Sequence, residues 1–145
     1  MIRDARPDDL DSLVELEELC FEHDRFHRRQ LRYLLTEAQG KVLVYKRAGR
    51  VVGALILSWR RNSSTARITS VAVFSEFRCL RIGKALVSQA EALARARGLK
   101  KLNLEVRLDN REAISFYEGC GYTRVGLQPD YYGDGVAGVR YQKLL

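Results

Sequence analysis

The stretch from Thr65 to Ala94 constrains this chain more than any other. Ile68-Thr-Ser-Val-Ala-Val73 reads as a β-strand. Leu86, Ala90, Leu93 and Ala94 fall at i, i+4, i+7 and i+8, one face of an amphipathic helix. Between them lies a short basic loop, Arg78-Cys79-Leu80-Arg81-Ile82-Gly83-Lys84-Ala85. The first amides of a helix have no internal partner and sit at the positive end of its dipole, so a strand, a loop and a helix start together make an anion site. Arg78, Arg81 and Lys84 add full charges to that field. The expectation is a site for a phosphorylated ligand; the plain alternative is a basic turn before a surface helix. The basic loop matches neither Gly-x4-Gly-Lys-Ser/Thr nor Gly-x-Gly-x-x-Gly, so it is neither of the two commonest phosphate loops.

At 145 residues the chain is expected to be one domain, 1–145. Apolar content of 46% and charged content of 30% are those of a globular protein. The longest apolar run, Val51 to Leu57, is too short to cross a bilayer. The opening Met-Ile-Arg-Asp-Ala-Arg-Pro has no apolar signal region, which makes the cytoplasm the expected location. Cys20, Cys79 and Cys120 are odd in number and lack metal-ligand spacing, so they read as reduced thiols. With only His23 and His27 beside them, no metal site and no histidine triad is expected. A net charge of +7 calls for an anionic partner. The basic residues are spread over several segments and match no nucleic-acid motif, which argues against nucleic acid. Nothing in the pattern reports an oligomeric state.

Ile2-Arg3 starts a strand, and Pro7 with Asp8 and Asp9 marks a helix start carrying Leu10, Leu13, Val14 and Phe21. Arg6 is a poor N-cap, so the acids carry the dipole compensation. A second helix runs from about His27 to Ala38, with Gly40 as its stop. Lys41–Lys46 and Val51–Trp59 form a hairpin across Ala48-Gly49, and Asn62-Ser-Ser64 turns into the strand that enters the basic loop. Lys101–Val106 alternates Leu102, Leu104, Val106 against Asn103, Glu105, Arg107. Asn110 caps a short helix, and Thr123–Leu127 pairs with Val139–Lys143. The order β-α-α-β-β-β-α-β-α-β-β predicts an α/β (α+β) domain.

Two motifs carry a resemblance. Arg78-x-x-Arg81-x-Gly83 resembles Arg/Gln-x-x-Gly-x-Gly/Ala, the pyrophosphate loop of the GNAT superfamily of acetyl-CoA-dependent N-acetyltransferases, with Arg81 in place of the first glycine. Leu104-Glu105-Val106, Asn110 and Ala113-Ile-Ser-Phe-Tyr117-x-x-x-Gly-Tyr122 match the family's usual ending in spacing throughout. With Tyr131-Tyr132-x-Asp134-Gly135, the chain is most similar to the RimI-like subgroup, which acetylates protein N-termini. Val136-Ala137 departs from the acidic pair common there. The resemblance is strongest over residues 99–135. It implies a mixed, mostly antiparallel sheet of about seven strands with helices on both faces.

The resemblance also implies a function: transfer of acetyl from acetyl-CoA to a primary amine, foremost a protein or peptide α-amino group, directly in a ternary complex. A small-molecule amine is the second reading. A non-catalytic CoA-binding or nucleic-acid-binding module is the third. On this resemblance Val71, Ala72 and Val73 hold the pantetheine arm, and the Val73 amide faces the thioester oxygen. Residues 78–85 hold the pyrophosphate, and Asn110 adds a contact to its capping role. Glu105 is the candidate general base, with an ion pair to Arg107 or Lys101 as the structural alternative. Tyr117, twelve residues on, is the candidate acid and cofactor contact, with packing beside Phe116 as the alternative. Tyr131 and Tyr132 line the acceptor groove. Arg29, within the cluster Arg25, Arg28, Arg29 and Arg32, borders it unless that cluster is only a solvated helix face. No chemistry falls to Cys79, and Cys20 and Cys120 read as buried small hydrophobes.

Overall fold

A bulge in one strand decides where this sheet opens. The strands are β1 (Ile2–Asp4), β2 (Gly40–Arg47), β3 (Arg50–Trp59), β4 (Thr65–Val73), β5 (Lys101–Arg107), β6 (Thr123–Gln128) and β7 (Gly138–Leu144). The helices are α1 (Leu10–Cys20), α2 (Arg28–Thr36), α3 (Ile82–Ala96) and α4 (Arg111–Gly119). The computed structural model describes residues 1–36 and 39–145, and at Cys79 the backbone only. The strands form one sheet in the order β1-β2-β3-β4-β5-β7-β6. Every pair is antiparallel except β4–β5.

That parallel pair is short: Thr65, Ala66 and Arg67 meet Lys101, Leu102 and Asn103, and there the ladder ends. Two residues on, β4 bulges against β3, where Ile68 opposes Leu57 and Ser70 opposes Ile56, leaving Thr69 extra. The Thr69 hydroxyl donates to the Ile56 carbonyl at 3.2 Å and fixes the bulge. A bulge bends its strand and raises its twist, so β4 follows β3 while β5 stays with β7. The two diverge into a V-shaped gap.

Alternation sets the layers. α1 lies against β3 and β4, and α2 against β2, on one face; α3 packs on β2, β3 and β4 from the other. Leu102, Leu104, Val106, Val139 and Tyr141 are buried, and the Tyr141 hydroxyl donates to Glu118 of α4 at 2.8 Å. Their neighbours Glu105, Arg107 and Arg140 point to the opposite face. The expected elements are all found, with corrections at two places. Helix α2 is described through Thr36, and its expected end at Ala38 lies outside the described residues. Gly40 does not stop a helix but opens β2, where a Cβ would stand 2.8 Å from the Leu57 carbonyl oxygen. At the first helix, Pro7–Asp9 is a 3-10 turn, and Asp9 rather than a capping side chain secures it. Its carboxylate accepts from the Arg6 amide at 2.7 Å and from Arg3 at 2.7 and 3.0 Å. The Arg3 side-chain hydrogen bond lowers the Asp9 pKa despite its burial.

Candidate active site

The gap between β4 and β5 exposes backbone groups that a closed sheet would consume. Val73 lies opposite Gly53, and the next amide, of Phe74, donates to the Val52 carbonyl at 3.1 Å. Residues flanking a hydrogen-bonded position turn their own N–H and C=O away from that neighbour. The Val73 amide and carbonyl therefore face away from β3, into the gap. The carbonyl is taken, by Arg78 Nε at 3.0 Å and the Cys20 thiol at 3.4 Å. The N–H is left facing the gap.

The basic loop is a 3-10 helix, Ser75–Leu80, rather than an open loop. It hands over to α3 through Arg81, whose φ of 60° and ψ of 25° are left-handed. That is the conformation for which glycine is favoured, and it accounts for the glycine of the family pattern at this position. The first bond of the α3 turn is Ala85 N–H to the Arg81 carbonyl, 3.0 Å. The amides of Ile82, Gly83 and Lys84 precede it and point out of the helix. A Cβ on Gly83 would meet the Phe116 ring at 3.2 Å, so glycine is what lets α3 lie close to α4 there.

A cleft of about 700 Å³ runs along these groups. Of the residues expected at the cofactor, Val71, Ala72, Val73, Arg78, Arg81, Gly83, Lys84, Asn110 and Tyr117 line it. Leu80, Ile82 and Ala85 do not: Leu80 is turned to solvent and Ile82 is buried in the core. The Cys79 side chain lies outside the described residues. Arg78 is less available than its charge suggests, since it holds Val73 through Nε and faces Glu112 at 3.6 Å through Nη1. Asn110 caps α4 by accepting from the Ala113 amide at 3.1 Å. Tyr117 is 9% exposed, and burial pushes its hydroxyl pKa above the ordinary phenol value. It stays protonated wherever the fold is stable.

Cys20 and Cys120 correct the reading as buried hydrophobes: both are free thiols, half-buried, on the cleft wall. Burial raises both pKa values and keeps them protonated. Phe21 and Phe116 also line the cleft. Loop and helix-end positions such as Cys20 and Phe21 carry no motif, and only the fold brings them there.

Glu105 lies on the other face of the gap and does not line the cleft. Its ion pairs are with Arg67 of β4, 2.6 Å, and Arg140 of β7, 3.4 Å, and not with Arg107 or Lys101 as its sequence neighbours suggested. Arg107 is instead engaged three times, by Asp24 at 2.9 Å, Asp109 at 3.1 Å and Asp134 at 2.6 Å, and lies over the Tyr132 ring at 5.0 Å. These pairs tie the α1–α2 loop and the β6–β7 loop to the end of β5. Tyr131 accepts from Arg67 at 3.2 Å, and burial pushes Tyr132 up to about 12. Arg29 stays exposed on α2, and no described contact joins it to these residues. Its neighbour Arg28 is bound to Asp11 at 2.8 Å, and Arg25 reaches the Glu18 carbonyl at 3.4 Å. No His/Cys/Asp/Glu cluster that could hold a metal occurs among the described residues.

A parallel pair that parts, a strand amide facing the gap and a helix start whose first amides point outward make a split-sheet protein with an anion-accepting cleft. The chain belongs to the acetyltransferase (GNAT) family, whose sequence pattern matches residues 10–122. It is an acetyl-CoA-dependent N-acetyltransferase. It is 28% identical to a putative ribosomal protein bS18-alanine N-acetyltransferase of Bacillus subtilis, over 92% of this chain and 87% of that one. It is 32% identical to the N-terminal acetyltransferase A complex catalytic subunit ard1 of Schizosaccharomyces pombe, over 92% and 79%. Among solved structures, Ard1 from Thermoplasma volcanium aligns at a TM-score of 0.91 with 29% identity, covering 100% of this chain and 97% of that one. No described helix is long and apolar enough to cross a membrane.

Proposed function

We propose that the acceptor is a protein or peptide N-terminal α-amino group, acetylated directly in a ternary complex within one domain working in the cytoplasm. The observation that carries this reading is the gap itself. Tyr117 looks into it from the α3–α4 face and Glu105 stands on the other, so donor and acceptor approach from opposite sides. The Glu105 face of β5 and β7 is polar, with Asn103, Glu105, Arg107, Arg140 and Gln142 along it, which suits an extended peptide. The relatives named above carry the names of a ribosomal-protein-alanine N-acetyltransferase and of an N-terminal acetyltransferase subunit, which supports this reading.

Acetyl-CoA supplies the acetyl group as a thioester. The chain's own residues then have distinct tasks. The outward amides at the start of α3, with Arg81 and Lys84, hold the pyrophosphate. The free edges of Val71 and Val73, with Asn110, hold the pantetheine arm. The Val73 N–H receives the charge that develops on the carbonyl oxygen, a role worth about 3–4 kcal/mol in other acyl transfers. Glu105 takes a proton from the amine, directly or through water, and Tyr117 holds a proton for the departing sulfur. An α-amine with pKa about 7.7–8.0 gives up its proton more readily than lysine at about 10.4, which favours the N-terminal acceptor. No acyl-enzyme is invoked, since both cleft thiols are held protonated by burial.

Thiol release from acetyl-CoA, measured with peptides of free and blocked N-termini, with lysine side chains and with polyamines, tests the acceptor. Turnover on free N-termini alone is expected. Turnover on polyamines and not on peptides overturns the reading in favour of a small-molecule amine.

A further inference from the structure

Two arginines from different strands close on Glu105, where one would balance its charge. Arg67 stands 2.6 Å from Oε2 and Arg140 3.4 Å from Oε1. The pairing is unsaturated. Oε2 is enclosed but accepts no hydrogen bond of proper angle among the described residues, despite the close ion pair. The Glu105 side chain is 7% exposed while each arginine side chain is 47% exposed. Each guanidinium has five N–H donors. Beyond Glu105, Arg67 reaches Tyr131 and Arg140 reaches Gln128, and their other donors have no described partner. The trio carries one surplus positive charge on the open face of the sheet. Two residues along β5, Arg107 is outnumbered by Asp24, Asp109 and Asp134. The groove is thus negative toward the end of β5 and positive at Glu105.

We propose that the preferred acceptor carries a carboxylate close to its amine, an Asp or Glu at the second or third position of an N-terminal peptide, and that Arg67 and Arg140 receive it. The inference rests on the peptide reading above and names the class of peptide. The ammonium is drawn to the acidic end of the groove, and the side-chain carboxylate takes donors from the two arginines. Their hold on Glu105 loosens in exchange, and Oε2 becomes free to take the proton of the amine. Recognition of the acidic residue and release of the base are one event. A neutral peptide leaves Glu105 clamped and is a poor substrate for that reason.

The experiment uses matched peptides that differ only in Asp against Asn, or Glu against Gln, at positions two and three. Both kcat/KM and binding to the CoA-loaded protein are measured. The parent protein is expected to prefer the acidic member about tenfold or more, the worth of a charge-assisted hydrogen bond. In the Arg67→Gln, Arg140→Gln double variant that ratio should fall to about one, and in Arg140→Lys it should be partly kept. Arg140→Glu should turn the preference toward a basic residue. If the arginines only hold Glu105, both members of each pair lose rate equally and the ratio survives, which overturns the proposal. Acetylation with no acidic preference overturns it while leaving the peptide acceptor standing. Arginine-dependent binding of acidic peptides without any acetylation supports it and overturns the catalytic reading of the peptide site. Neither binding nor acetylation overturns both.

Discussion

At the scale of single residues, the family pattern and the physics of this chain part company at Arg81. A non-glycine residue in the left-handed region costs about 1–2 kcal/mol, and here the residue is arginine at the mouth of an anion site. Arg81→Gly is therefore expected to stabilise the fold by about 1 kcal/mol. It should also bind acetyl-CoA with weaker salt dependence, since a charge is gone. Arg81→Ala keeps the backbone cost and loses the charge, so it should bind more weakly than either; calorimetric titration at low and high salt checks the order. Glu105→Gln should leave acetyl-CoA affinity nearly intact and lower turnover by roughly 100-fold, with the deficit shrinking as pH rises and the amine deprotonates unaided. Equal turnover at all pH values would remove Glu105 from the role of base. Tyr117→Phe should slow the single-turnover rate without unfolding, because only a hydroxyl with no described partner is lost. Since burial raises the Tyr117 pKa, the parent should show no descending rate limb from this group below pH about 10.

At the scale of elements, the walls of the acceptor groove are joined through one side chain. Arg107 links Asp24 in the α1–α2 loop to Asp134 and Tyr132 in the β6–β7 loop. Glu17 seconds it from below, accepting from the Phe26 amide at 2.8 Å and from Ser70 at 3.1 Å. Arg107→Gln leaves three carboxylates without a cation and frees both loops. The acceptor KM should rise roughly tenfold while the acetyl-CoA KM holds, because Arg107 is not on the cofactor cleft. Arg107→Lys should rescue little, since a point charge cannot serve three carboxylates as a planar fork does. An unchanged acceptor KM would show that the loops are held by other contacts. The elements themselves were legible in the sequence because each has its period and punctuation: alternation in β5, a 3.6-residue stripe in α3, Asn110 before α4. Arg107, Arg67 and Arg140 were not. Their roles depend on strand register and on loops folding back, and a single strand's alternation says which face a residue takes but not which charge stands opposite. Arg107 in particular looked like a counter-ion for Glu105, yet neighbours two apart on one strand face lost to cross-strand partners.

At the scale of the whole molecule, the sheet is two ladders whose strand pairing is continuous through three residue pairs at one end. β1 to β4 form one ladder and β5, β7 and β6 the other, and they share only Thr65–Arg67 against Lys101–Asn103. The cause of this opening, the Thr69 bulge, lies in an ordinary-looking strand and carries no sequence mark. A ligand in the gap touches β4 and α3 on one side and α4 on the other, so it supplies contacts the sheet lacks. Ligand that binds only the native state stabilises by about 2.7 kcal/mol at 100 times Kd, which for a chain of 145 residues is roughly 8–10 °C in Tm. Acetyl-CoA is expected to give that shift, and amide exchange should slow at residues 68–73, in the first turn of α3 and along α4. Slowing confined to β1 and β2 would mean the gap is not where the cofactor binds. A shift with uniform protection would mean that the two ladders already open as one unit, and that the three shared pairs hold the halves more firmly than their number suggests.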